Sequence, residues 1–154
     1  MPTVRFWSRD ENMIYVKDVM TRRVRTIGGG STIREAAKAM AKWKIGALVI
    51  VEGGKPTGML TEGDISRLVA KGLDPRTTPV SIGRKKLVAV APDERIEVAA
   101  KTMAEAGVKK LPVLDEGKLV GILTQTDIVN TSFALVTSLK EMVQARYRPP
   151  DFQM

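Results

Sequence analysis

The chain has 154 residues, 44% of them hydrophobic, and a formal charge of +8. Such a length and composition suit one compact domain that buries about two thirds of its unfolded surface, and they exclude a disordered chain. Cysteine and histidine are both missing, which removes thiolate nucleophiles, imidazole bases, disulfides and the ordinary zinc and haem ligand sets.

Residues 1–15 carry Arg5, Arg9, Asp10 and Glu11 without a long apolar run, so no signal peptide is expected there. Phe6, Trp7 and Tyr15 in this segment are expected to pack against the rest of the protein. The most apolar stretch, Ala47 to Val51, is far shorter than the roughly 20 residues that span a bilayer. A soluble, cytoplasmic protein with no membrane contact is the expectation.

Val24 to Ile27 reads as a short strand, followed by a turn at Gly28-Gly29-Gly30. Thr32 and Glu35 have capping-box spacing, and Ile33, Ala36, Ala37 and Met40 fall on one face of the helix they open. Ala47 to Val51 and Thr57 to Thr61 flank a glycine turn as a hairpin, and a second helix starts near Thr61, with Ile65, Leu68 and Val69 facing inward. Residues 73–79 form a linker. The same order then returns: a strand over Leu87–Val90, a helix from about Asp93 to Ala106, strands over Leu111–Leu114 and Leu119–Leu123, and a helix from about Gln125. The last helix is predicted to continue through Phe133, Val136, Leu139 and Val143 until Pro149-Pro150 stops it.

This recurrence is a duplication. G-M-L-T-E-G-D-I ends its acid at Asp64 and G-I-L-T-Q-T-D-I ends its acid at Asp127, 63 positions on (127 − 64). The same offset superposes Ile33 on Ile96, Ala36-Ala37-Lys38 on Ala99-Ala100-Lys101, and Gly54-Lys55 on Gly117-Lys118. Units this small depend on each other for a buried core, which implies pseudo-twofold symmetry and paired sites.

Each octet places a hydroxyl at a helix N-terminus and an acid three residues later. Free N–H groups at the helix tip attract phosphate, the threonine can donate to it, and the carboxylate can accept from ribose hydroxyls. The glycine lets a flat ring approach the backbone. The T-x-x-D spacing is equally that of a capping box needing no ligand, and duplication would preserve either arrangement.

The order of elements, the constant offset and the blocks I-G-A-L-V-I-V-E-G-G-K-P-T-G-M-L-T-E-G-D-I and V-K-K-L-P-V-L-D-E-G-K-L-V-G-I-L-T-Q-T-D-I resemble the cystathionine β-synthase (CBS) domain, in the tandem form called a Bateman module. The resemblance covers residues 16–133. It implies an α/β (α+β) fold of two β-α-β-β-α repeats, a pseudo-twofold pair of small sheets with helices packed on one face. The expected division is a 1–15 segment, repeat 1 over 16–72, a linker over 73–79, repeat 2 over 80–133 and a helical extension and tail over 134–154.

The resemblance further implies a regulatory module, not an enzyme, that binds an adenine nucleotide between the repeats without a catalytic cofactor or a metal. AMP is favoured over S-adenosylmethionine, because lysines and arginines rather than acids surround the motifs. The stronger site is expected at Thr124, Asp127 and Ile122, completed by Lys109, Lys110, Thr21, Arg22 and Ile45. A weaker site is expected at Thr61, Asp64 and Met59 with Lys85 and Val108, because Gly46 and Ala47 stand where the second repeat has Lys109 and Lys110. A homodimer pairing through helices, signalling to a separate effector protein, is the expected context. The alternative is a basic nucleic-acid-binding protein, but aromatic residues are only 5% of the chain and offer no stacking platform. An enzyme reading finds no converging acid and base, since Asp64 and Asp127 belong to different repeats.

Overall fold

The structure, a computed structural model, describes residues 13–146. In chain order these form α1 (Val16–Val19), β1 (Thr26–Gly28), α2 (Ile33–Trp43), β2 (Ala47–Glu52), β3 (Lys55–Thr61), α3 (Glu62–Ala70), a 3-10 turn (Val80–Ile82), α4 (Ile96–Ala106), β4 (Lys110–Asp115), β5 (Lys118–Thr124) and α5 (Gln125–Arg146). Phe6, Trp7 and the Pro149-Pro150 stop lie outside the described residues.

Local chemistry explains most boundaries. Thr32 opens α2 with a reciprocal cap: its hydroxyl accepts from the Glu35 N–H at 3.2 Å, and its own N–H donates to the Glu35 carboxylate at 2.8 Å. Ile33, Ala36 and Met40 then form the buried stripe. α2 ends at Lys44 in the left-handed region, with φ +52°, whereas the related helix α4 ends at Gly107, with φ +65°. A lysine in that conformation is under strain that glycine escapes.

β1 pairs in parallel with β2, and β2 pairs antiparallel with β3. In the second repeat only the β4–β5 hairpin forms, so the strand expected over Leu87–Val90 is not there; Val90 alone bridges Val113. The cause is Pro112. In the first repeat the Val49 N–H donates to the Arg25 carbonyl, and Pro112 stands 63 positions after Val49 with no N–H to give. What survives is the Val90 N–H to the Pro112 carbonyl at 3.1 Å and the Leu114 N–H to the Val90 carbonyl at 2.9 Å.

The two repeats exchange short arms. Val16, on α1, is fully buried in the second repeat's core with Ala99, Met103, Leu111 and Leu123, while Val80, on the 3-10 turn, is buried in the first repeat's core with Ile33, Leu48 and Leu60. The backbone contacts are symmetric. Val16 donates to the Glu94 carbonyl and Val80 to the Ser31 carbonyl; Tyr15 bridges Arg95 as Pro79 bridges Thr32. A third apolar cluster, with Ala47, Val49 and Met59 buried and Leu119 and Ile122 packed on it, joins the two hairpins face to face.

The long α5 departs from the core along its second half: Phe133 is 72% exposed, and Leu135 and Val136 are about half exposed. The helix predicted through Phe133 and Val136 is there, with both side chains turned to solvent. Nothing else packs over them among the described residues.

Candidate functional site

The approach of the two repeats opens two clefts, one on each side of the pseudo-twofold axis. Each takes its octet from one repeat and its facing wall from the other. The first, about 460 Å³, is lined by Met59 and Thr61 from the first octet and by Lys85, Val88, Val108 and Lys109 from the second repeat. The second, about 300 Å³, is lined by Ile122 and Thr124 from the second octet and by Thr21, Arg23, Arg25, Lys44 and Ile45 from the first repeat.

The octet strands are held in place by the partner repeat. Met59 and Lys85 exchange backbone hydrogen bonds, as do Ile122 and Thr21. These bonds require the octet glycines. A Cβ on Gly58 would run into the Arg84 side chain and stand 2.7 Å from the Lys85 carbonyl oxygen; one on Gly121 would lie 2.5 Å from the Met20 sulfur and 3.1 Å from the Thr21 carbonyl oxygen. Glycine here serves close approach of chain to chain.

Both octet acids act as capping-box partners. The Thr61 N–H and hydroxyl donate to Asp64 Oδ2, each at 2.9 Å, and the Asp64 N–H returns to Thr61 Oγ1 at 3.2 Å. Asp64 Oδ1 receives Arg67 Nη2 at 2.7 Å and Lys85 Nζ at 3.2 Å. Asp64 is buried, which pushes its carboxyl pKa up, but the donors from Thr61, Arg67 and Lys85 outweigh burial and hold it below the usual value. Asp127 is simpler. It accepts the Thr124 N–H at 2.9 Å, its own N–H donates to Thr124 Oγ1 at 3.1 Å, and among the described residues it has no ion-pair partner. Position 130, where Arg67 would recur, is Asn130.

Neither acid lies on a cavity wall; each sits at the first helical turn behind its threonine. Arg67 and Lys85, which hold Asp64, do line the first cleft. Thr61, Met59, Lys85 and Val108 come together there, and Thr124, Ile122, Thr21, Ile45 and Lys110 come together in the second. Besides the two acids, two expected assignments change. Lys109 lines the first cleft and not the second, because the turn that enters β4 faces the opposite repeat's octet, as the turn carrying Ile45 does in reverse. Arg22 points into a separate groove of about 890 Å³ between the hairpins, with Lys55 and Lys118. The backbone bends at Arg22, so Thr21, Arg23, Val24 and Arg25 line the cleft while Arg22 turns into the groove, whose wall Val24 also joins.

The first cleft thus gathers Arg67, Lys85, Lys86, Lys109 and Lys110 against one wall acid, Glu62, around an apolar slot of Met59, Val88 and Val108. In the second cleft Arg25 is stacked on Trp43, its guanidinium 4.3 Å from the ring centroid. Arg67 was legible as a basic residue one turn after Asp64, and Arg23 and Arg25 as basic residues close after Thr21.

The model for the CBS domain matches the chain twice, over residues 16–71 and 80–133. The CBS domain-containing protein YhcV of Bacillus subtilis is 38% identical over 117 residues, 75% of this chain and 84% of that one. A CBS domain protein of Pyrobaculum aerophilum, solved in complex with AMP, superposes with a TM-score of 0.70 at 28% identity, covering 74% of this chain and 89% of that one. The CBS domain pair of protein MJ0100, solved with 5-methylthioadenosine and S-adenosyl-L-methionine, gives a TM-score of 0.73 at 27% identity, covering 79% and 98%. With both repeats matched and their arms, hairpins and clefts in one symmetric frame, this chain belongs to the CBS-domain family as a tandem pair.

Proposed function

We propose that the protein is a stand-alone sensor of an adenine nucleotide, AMP foremost, and that it signals to a separate effector protein through a shift between its repeats or subunits. The observation that carries this reading is the first cleft: an apolar slot, a threonine at a helix tip and five cationic side chains meet in one cavity of about 460 Å³. The complexes of the two solved relatives with adenosine compounds support the same ligand class. The cationic wall favours a phosphate over a sulfonium ion.

On this reading the first cleft is the stronger site, since Lys109 faces it, and binding exchanges partners. Ligand phosphate draws Lys85 and Arg67 away from Asp64 Oδ1, and the freed carboxylate oxygen accepts a ribose hydroxyl. In the second cleft Asp127 begins with that oxygen unclaimed by a cation, while its wall contributes fewer free charges. Exposed apolar side chains on α3 and α5, Val69, Val129 and Phe133, support pairing of two copies through these helices.

Thermal-shift screening of AMP, ADP, ATP and S-adenosylmethionine tests the proposal, because a ligand that binds only the native state raises Tm by mass action. AMP should raise Tm in the wild type and much less in Lys109→Met. If no adenine compound moves Tm, the octets are helix caps and nothing more.

A further inference from the structure

Two residues belong to the walls of both clefts, Gly46 and Lys110. Lys110 opens β4 beside the pseudo-twofold axis, and its counterpart in the first repeat is Ala47, so no second lysine answers it. The ammonium reaches across the axis over Gly46: a Cβ built there would stand 2.9 Å from Lys110 Nζ and 3.4 Å from a Glu62 carboxylate oxygen. The missing side chain at position 46 is what leaves the lysine a path between the clefts. An ammonium on a flexible stem is one point charge, able to neutralise one phosphate at contact distance and not two.

We propose that Lys110 is a shared cation that makes the two clefts compete, so that an anionic ligand seated in one weakens binding of the next in the other. This rests on the reading of both clefts as nucleotide sites. A phosphate in the first cleft holds the ammonium on that side, and the second ligand then meets a cleft short of one charge-assisted hydrogen bond. The coupling is reciprocal, as any equilibrium coupling between two sites must be. Its size is set by one such contact, about tenfold in affinity.

The experiment is a titration of the full chain with AMP, followed by calorimetry and by the amide signal of Thr124 in two-dimensional NMR. The second cleft is read with the first open and with the first filled by Val108→Trp, or by Val88→Trp should that variant not fold. Closing the first cleft should tighten AMP at the Thr124 cleft by about tenfold. In Lys110→Met both clefts should weaken, and the affinity of the Thr124 cleft should no longer depend on whether the first is closed. Gly46→Ala, which sets a methyl in the path of the ammonium, should also reduce the dependence. An affinity at Thr124 that ignores the state of the first cleft in the wild type overturns the shared cation alone. Coupling that persists or grows in Lys110→Met also overturns it, assigning the effect to repulsion between bound phosphates. Absence of AMP binding in every variant overturns the nucleotide reading itself, and the coupling with it.

Discussion

Removing each octet acid in turn should separate two positions that look equivalent in sequence. Asp64→Ala deletes acceptors for the Thr61 N–H and hydroxyl and for Arg67 and Lys85, whereas Asp127→Ala deletes one acceptor, for the Thr124 N–H. A capping-box bond contributes about 1 kcal/mol, so the loss at Asp127 is about 1 kcal/mol. At Asp64 two such bonds go, together with two ion pairs whose cations are 59% and 58% exposed. Pairs that exposed contribute about 0.5 kcal/mol each. Subtracting the desolvation that a buried carboxylate no longer suffers leaves about 2.5 kcal/mol for Asp64→Ala. For a chain of this length the drops correspond to about 7 °C and about 3 °C in Tm, measurable by circular dichroism or calorimetry. Asp64→Asn, which keeps an acceptor for Thr61 but forfeits both ion pairs, should fall between. Equal drops for the two alanine variants would refute the reasoning, because they would mean that burial cancels everything that Arg67, Lys85 and the second Thr61 bond supply.

Because the folded-state pKa of Asp64 lies below its unfolded value, its contribution to stability is complete above about pH 4 and is lost as pH falls through the folded value. Urea midpoints measured from about pH 6 down to about pH 2.5 should therefore fall less steeply in Asp64→Asn than in the wild type. Lys44→Gly should relieve the left-handed strain at the end of α2 and raise stability by about 1 kcal/mol, while weakening anion binding in the Thr124 cleft. Denaturation and AMP titration of the same variant check both halves. Val16→Ala should cost about 2 kcal/mol and speed hydrogen exchange in α4 and β4, not in α2, although Val16 opens the first repeat.

The duplication made much of this legible. One offset, 63, carried α2 onto α4 and each hairpin onto the other, because periodicity and turn residues are local and were copied together. What the offset could not carry was chemistry specific to one copy. Pro112 reads as an ordinary strand residue until the carbonyl it fails to serve is known, and so the third strand of the second repeat was expected where only Val90 bridges. The family resemblance puts a phosphate-reaching cation at Lys109 but does not say which octet it serves; the symmetry sends it to the other repeat's. The sequence groups Arg22 with Thr21, but the backbone bends at Arg22 and sends its side chain into the other groove. The capping box and the ribose grip demand the same two residue types, so the octet alone could not say that Asp64 begins engaged by two cations and Asp127 by none among the described residues.

The exchanged arms bear on how such a chain could arise. A single repeat bearing its own arm would own a plug, the segment around Val16, and an unfilled socket of the kind that Val80 occupies. Two identical half-length chains would satisfy each other by inserting plug into socket reciprocally, a swapped dimer that closes on itself. Gene fusion through a short linker would then convert an intermolecular knot into an intramolecular one without inventing a contact. Cutting the chain between Ala70 and Val80 should accordingly yield halves that reassemble when mixed rather than fold apart.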